Sequence, residues 1–367
     1  MDYFLLLDFI VSGQYSKRRR HAAERRYSMK RILLLATGGT IATKKTDQGL
    51  TPQLTSRELL DAIPEIASLC HVDTIQLFNL DSTNLKPSHW LTIAKAIQEQ
   101  YERYDGFVIT HGTDTMAYTA AALTYLIQGS AKPVVLTGAQ QSIGSRETDA
   151  RRNLYDAFLY AASESAWGVT IVFDGQVILG TRAKKIRSKS YHAFSSIGYP
   201  EAAMIRDQKV YPILPRPAAA AKPTFSFQLN PNVFVLKLIP GIQADLFQLL
   251  QPKYDAMILE GFGVGGVPYY ANQDFALAVG QWIEAGKVLI MTTQVTYEGS
   301  DMGVYQVGHM IKERYGVIEA YDMTLEAVVT KTMWLLGQSR NLEEFRRGFH
   351  TPVQHDILLP EQENIKK

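Results

Sequence analysis

Two short segments pair hydroxyl side chains with glycine in a way that could hold an anion or an oxyanion beside a hydroxyl. Thr37-Gly38-Gly39-Thr40-Ile41-Ala42 sets threonines on either side of a glycine pair, and His111-Gly112-Thr113-Asp114-Thr115 packs two hydroxyls and a carboxylate into five residues. Glycines let a backbone turn sharply, approach a ligand and point N–H groups at an anion or an oxyanion. A threonine hydroxyl is a poor nucleophile at neutral pH, so a neighbouring group must take its proton. Each segment alone also has a plainer reading: the first as a strand-to-loop connection, the second as a helix N-cap in which Thr113 or Asp114 satisfies free backbone N–H groups. The chemical reading gains from coincidence, because the same glycine-relieved polar pattern occurs twice, each time directly after an apolar run.

A third polar cluster, Asp81-Ser82-Thr83-Asn84, offers small donors and acceptors suited to the carboxylate and ammonium of an amino acid, and equally suits a polar turn. Lys184 and Lys185 lie in Gly180-Thr181-Arg182-Ala183-Lys184-Lys185-Ile186, which by itself reads as a solvated charge run. The eight histidines are dispersed, with no pair at metal-ligating spacing, and no Gly-x-Gly-x-x-Gly follows a strand. Neither a metal nor an organic cofactor is therefore expected.

The elements that must position these residues alternate regularly. Arg31 to Ala36, Thr74 to Phe78, Gly106 to Thr110, Pro133 to Thr137 and Gly168 to Phe173 are short apolar runs that read as buried strands. Helical spacing runs between them, from Trp90 to Tyr104, Thr115 to Leu126 and Glu147 to Ala162. Such alternation predicts an α/β fold with a parallel sheet covered on both faces, where ligands sit at the carboxyl ends of the strands. Both threonine segments fall at such ends.

A chain of 367 residues exceeds what a single core usually serves, so two unequal domains are expected. Residues 1–28 read as an extension outside the fold, 29–212 as an N-terminal catalytic α/β domain, 213–224 as a Pro/Ala linker and 225–367 as a smaller C-terminal α/β domain. In the second domain, Val233 to Leu238, Ala256 to Glu260 and Val288 to Thr292 read as strands, with helices near 243–250, 273–284, 304–315 and 324–336.

Net charge is +2, but residues 1–31 carry eight Lys/Arg against three Asp/Glu, leaving 30 basic and 33 acidic side chains in the remainder. The body thus has no basic footprint for nucleic acid. No run approaches the roughly 20 apolar residues of a membrane span, so no membrane partner is expected. In the N-terminal extension the charges follow the apolar stretch and two Asp interrupt it, which is not signal-peptide order. The single cysteine, Cys70, excludes an internal disulfide and fits a reducing, cytoplasmic setting.

Together the two threonine segments resemble the asparaginase/glutaminase family, specifically its bacterial type I (cytoplasmic) members, from about Lys30 to about Gly348. Thr137-Gly138-Ala139-Gln140, Gly263-Val264-Gly265-Gly266 and Tyr321-Asp322-Met323-Thr324-Leu325-Glu326-Ala327 agree with it, as does Asp81-Ser82-Thr83-Asn84. The resemblance implies a larger flavodoxin-like domain followed by a smaller α/β domain. It also implies hydrolysis of the L-asparagine side-chain amide through an acyl-enzyme, with Thr40 as nucleophile and Thr113, Asp114 and Lys185 in support. Asp81, Ser82, Thr83, Thr113 and Asp114 would bind substrate, and the protein would be a homo-oligomer, dimer or tetramer, with Tyr297 and Glu298 reaching a neighbouring site. Three positions depart from the family pattern: Leu50 where many relatives carry a loop tyrosine, Thr83 where several carry glutamine, and Gly266 where many carry asparagine. Competing expectations are a mixed asparaginase-glutaminase and a non-catalytic amino-acid-binding protein. A tRNA-dependent amidotransferase component would need more N-terminal chain than these 28 residues.

Overall fold

The strand β1 (Arg31–Gly38) is apolar from Ile32 to Ala36 because both its faces are covered, and it lies at the centre of what becomes the site. The computed structural model describes residues 29–46, 49–52, 54–218, 222–269, 274–339 and 341–359, so the extension at 1–28 lies outside the described residues. With β1, the strands β2 (His71–Leu80), β3 (Gly106–Thr110), β4 (Val134–Thr137) and β5 (Val169–Phe173) form a parallel array in the spatial order β2-β1-β3-β4-β5. That order is the flavodoxin-like one, and it reverses between β1 and β3, where doubly wound sheets open a crevice for ligand.

Helices α1 (Pro87–Gln100), α2 (Met116–Leu126) and α3 (Ala150–Ala162) cover the faces of this sheet. One core gathers Leu34, Val108, Val135, Leu154 and Phe158 on the α3 side; a second gathers Leu35, Ile109, Leu136, Ile93 and Leu123 on the other. Alternate residues of each strand thus feed opposite cores, as a period of two requires.

The sheet is mixed rather than wholly parallel. After β5 the chain reverses through Asp174 and Gly175, both at positive φ (49° and 74°), the geometry that a two-residue hairpin demands. The strands β6 (Gln176–Leu179), β9 (Ala203–Arg206) and β10 (Lys209–Pro212) then extend the edge antiparallel. Between β6 and β9, β7 (Ala183–Lys185) and β8 (Phe194–Ser196) form a separate antiparallel pair. The expected helices and strands on either side of this region are found where the apolar periodicity puts them. These short strands were not anticipated, since four residues give too few alternations to read.

In the second domain β11 (Val233–Lys237), β12 (Ala256–Gly261), β13 (Val288–Thr293) and β14 (Ile318–Glu319) form a four-stranded parallel sheet in sequential order. Helix α4 (Asp274–Glu284) covers one face with Phe275 and Trp282, and α5 (Leu325–Gln338) covers the other. Before this domain the proline-rich segment ends in Thr224–Phe225, which pairs with Ile127–Gln128 of the large domain.

Helix α2 explains its own composition. It is buried along nearly its whole length, between the large sheet and α5, so it reads as Ala-rich and apolar all round instead of striped. Across this contact Tyr125 stacks on Trp334 at 5.8 Å and donates to Asp356 Oδ2 at 2.9 Å. Lys331 Nζ donates to the same carboxylate oxygen at 2.7 Å and to the Thr351 carbonyl at 2.9 Å, and neither Lys331 nor Asp356 has exposed side-chain surface. Removing one partner of such a pair leaves a buried charge uncompensated, which costs about 3–5 kcal/mol. Asp356→Ala is therefore expected to lose about that much stability, read as a lowered urea midpoint with unchanged slope.

Candidate active site

The two glycine-threonine segments meet where the strand order reverses. Gly38 and Gly39 end β1 at φ 105° and 83°, and Gly39 N donates to the Leu80 carbonyl at 3.0 Å. A Cβ on Gly39 would lie 2.3 Å from Gly112 N and 2.5 Å from Gly112 Cα, so the two loops touch backbone to backbone. Gly112 in turn leaves no room on its other side, where a Cβ would sit 2.6 Å from Ser82 Oγ. Glycine at both positions is thus a spatial requirement, and at Gly39, with its φ of 83°, a conformational one as well.

Thr40, half-buried, begins a single 3₁₀ turn (Thr40–Ala42) and is fixed through its carbonyl, which accepts from Thr43 Oγ1 at 2.8 Å. Thr113, buried, follows Gly112 in the loop that leads into α2. Lys185, at the end of β7, reaches across 72 residues of sequence: Nζ donates to Thr113 Oγ1 at 2.8 Å and to Asp114 Oδ1 at 2.6 Å. The lysine side chain is 17% exposed and that of Asp114 59%, so the pair sits with the ammonium inside and the carboxylate at the mouth. Thr113 Oγ1 passes its own hydrogen to Gln140 Oε1 at 3.2 Å.

Gln140 belongs to the site as a partner of Thr113, a part the sequence reading did not give it. Its segment stood out as a motif, but nothing local marked which of its groups would turn inward. It is held by Asp149, whose carboxylate accepts from Gln140 N (2.9 Å), Gln141 N (3.0 Å) and Asn153 Nδ2 (3.1 Å), and by the Ser190 carbonyl, which accepts from Nε2 at 3.1 Å.

The third cluster divides. Ser82 is buried against Gly112, and its carbonyl accepts from Thr115 Oγ1 at 2.8 Å. Asp81 and Thr83 are exposed and occupied with each other: Asp81 Oδ1 accepts from Thr83 N and Thr83 Oγ1, both at 2.9 Å, which caps the short turn of Ser82–Asn84. Tyr297 and Glu298 lie exposed on the loop after β13, with Glu298 at φ 76°. Leu50 falls in the hairpin Thr43–Thr46/Gly49–Pro52, whose side chains from Lys44 onward lie outside the described residues.

The last motif, Tyr321 to Ala327, docks the small domain behind the lysine. Arg182, fully buried, donates through Nη1 to Asp322 Oδ2 at 2.7 Å and to the Asp322 carbonyl at 3.1 Å, and its Nε donates to the His355 carbonyl. Thr324 Oγ1 donates to the Thr181 carbonyl at 2.9 Å. Immediately after Arg182 the chain enters β7, which carries Lys185.

The family model for the N-terminal domain of asparaginase matches residues 31–216, and that for the glutaminase/asparaginase C-terminal domain matches 232–349. The chain belongs to the asparaginase family. An L-asparaginase from Thermococcus kodakarensis is 39% identical over 332 residues, covering 89% of this chain and 99% of that protein. The solved structure of the thermostable L-asparaginase from Thermococcus kodakarensis superimposes with a TM-score of 0.83 at 37% identity, covering 90% of this chain and all of the other. A glutamyl-tRNA(Gln) amidotransferase component from Pyrococcus abyssi is 33% identical over 344 residues, covering 89% of this chain and 76% of that protein. Family membership supports an amidohydrolase. The relatives include archaeal proteins of both names, so the narrower bacterial type I resemblance is not what these matches establish.

The Gly39–Gly112 contact is open to a direct test. Gly39→Ala places a methyl group inside backbone van der Waals distance at a φ of 83°, and a strained site of this kind costs about 1–3 kcal/mol. A loss of stability of that size, read as a lowered Tm, is expected, with no change in Gly144→Ala, where an added methyl meets nothing within 4 Å.

Proposed function

We propose that this asparaginase-family protein is an L-asparaginase of the cytoplasmic type I kind, converting L-asparagine to L-aspartate and ammonia. The observation that carries the reading is the bridge from Lys185 Nζ to both Thr113 Oγ1 and Asp114 Oδ1 at the strand-order reversal. Thr40 Oγ attacks the side-chain amide carbon, and the carbonyl electrons move onto oxygen, where backbone N–H groups beside the glycines receive the charge. Such donors are worth about 3–4 kcal/mol each in comparable acyl-transfer sites. The tetrahedral adduct collapses with cleavage of the C–N bond, and the proton from Thr40 leaves on the ammonia. Thr113 then serves the second half-reaction: water, deprotonated through its hydroxyl and Lys185, adds to the ester and releases aspartate and the Thr40 hydroxyl. The short contact with Asp114 gives the lysine ammonium a place to leave a proton before it accepts one.

Ser82 is suited to the substrate α-carboxylate, since its hydroxyl abuts Gly112 between the two loops. The free oxygen of Asp114, at the mouth, is suited to the α-ammonium. Asp81 and Thr83 act by shaping this turn, and the protein works as a homo-oligomer, dimer or tetramer, with exposed Tyr297 and Glu298 of the small domain directed at a neighbouring copy. Cys70 is buried, and burial pushes its thiol up to about 12, so it takes no part in nucleophilic chemistry.

The mixed-specificity alternative differs by one methylene, a discrimination of about 1–3 kcal/mol. Ammonia release from L-asparagine and L-glutamine decides between them. The expected result is release from asparagine exceeding that from glutamine at least tenfold in kcat/KM, abolished in both Thr40→Ala and Thr113→Ala. Near-normal turnover in Thr40→Ala with none in Thr113→Ala would exchange the two threonine roles. Equal rates on both amides would make the enzyme a mixed glutaminase-asparaginase, and release from neither would leave an amino-acid-binding protein.

A further inference from the structure

His111 opens the second threonine motif yet has no part in the mechanism above. It is completely buried at the end of β3, and its ring lies in a chain of three hydrogen bonds. Trp90 Nε1, from α1, donates to Thr119 Oγ1 at 3.0 Å; Thr119 Oγ1, from α2, lies 2.8 Å from His111 Nε2; His111 Nδ1 lies 2.7 Å from the Gly112 carbonyl oxygen. Both ends of this chain have fixed polarity, because an indole N–H only donates and a carbonyl only accepts. Burial pushes the imidazole down to about 4, so the ring is neutral through the working range of pH. A neutral ring satisfies all three contacts in one way: Thr119 accepts from Trp90 and donates to Nε2, and the ring proton sits on Nδ1, donating to Gly112. The tautomer required by the Gly112 carbonyl is thus matched from the other end by a tryptophan 21 residues earlier on α1.

We propose that Trp90, Thr119 and His111 form a buried positioning relay that clamps the Gly112–Thr113 peptide and so aims the Thr113 N–H into the site. In a trans peptide the C=O and N–H point in opposite directions, and no cis peptide occurs among the described residues. With the Gly112 carbonyl drawn toward His111 and the protein interior, the Thr113 N–H is turned to the side where Lys185, Asp114 and Gln140 gather. Gly112 has no side chain to hold its own peptide plane, and contacts on both its faces are with backbone or Ser82. The ring clamp supplies what the missing side chain cannot. Were the proton on Nε2 instead, the Nδ1 lone pair would face the Gly112 oxygen and push the peptide away.

This inference rests on the amide-hydrolysing reading for its kinetic part only. An N–H aimed at the oxyanion acts in the transition state, so loosening it lowers kcat with little change in KM. Thr119→Val keeps the shape and removes the hydroxyl: kcat for L-asparagine is expected to fall by about 10- to 100-fold with KM within about twofold, and Thr119→Ser to recover most of it. Independently of substrate, ¹⁵N-histidine NMR of the intact protein, with the signal assigned through His111→Gln, is expected to show the proton on Nδ1 and no titration between pH 5 and 9. In Trp90→Phe, Thr119 is released to donate or accept, and the Nε2–H form is expected to appear. An Nε2–H ring in the wild-type protein, a titration within that range, or unchanged kcat in Thr119→Val would overturn the relay. A wild-type protein that releases no ammonia would instead overturn the proposed function, leaving the NMR result to decide the relay alone.

Discussion

Everything in the catalytic region is arranged around a place where two backbones have no room between them. Gly39 and Gly112 bring the ends of β1 and β3 into direct contact, and that contact sets the separation of the two threonines that follow, while their own hydrogen bonds hold each in place. A doubly wound sheet generates the crevice at this reversal for topological reasons, and the glycines let the chain fill it with peptide groups rather than side chains. Polar groups are thereby presented at fixed positions with little side-chain freedom to lose on binding. Loops that meet in this way cannot shift singly, so Ser82, packed against Gly112, shares the constraint.

Lysine arrives by a different principle. Lys185 stands on a two-stranded hairpin outside the main sheet, and its position depends on what lies behind it: Arg182 locked to Asp322, and Thr181 to Thr324. The buried guanidinium and its partners from the second domain make the hairpin a rigid mount. The small domain therefore supports the segment that carries Lys185 without supplying one of the four proposed reacting groups.

The sequence disclosed the parallel half of the large sheet because each strand there is a run of buried apolar residues bounded by glycine or polar loops, as in Phe107 to Thr110 followed by His111-Gly112. It disclosed Thr40 and Thr113 for the same reason, since a hydroxyl beside glycine at a strand end is conspicuous. Lys185 was weak on local grounds, one cation in a basic run, and only the resemblance singled it out; its 2.6 Å contact with Asp114 is made over a sequence gap of 71 residues and leaves no periodic trace. Gln140 and Asp149 were illegible as functional groups because their roles depend on which way a loop folds back. Asp81 and Thr83 look like recognition residues, and what the sequence did not disclose is that they also bond each other across the turn, since a short side chain beside a free N–H bonds its own backbone first. The antiparallel edge was missed through brevity, and the tautomer of His111 is a property of three separate elements that no single segment encodes.

The locking of Arg182 has a temporal side. Ribosomes deliver the chain from its amino end, at about 5–20 residues per second, and domains commonly fold as they emerge. The large domain's strands and both threonine loops are complete by residue 212, yet the buried guanidinium of Arg182 has its partners at Asp322 and His355, more than a hundred residues later. Until those residues appear, the cation at the root of the lysine mount has the Ile197 carbonyl and the Tyr199 ring beside it but lacks its carboxylate. A nascent chain of this protein can thus own a finished sheet and still lack the support of its lysine, which is complete only once His355 has emerged.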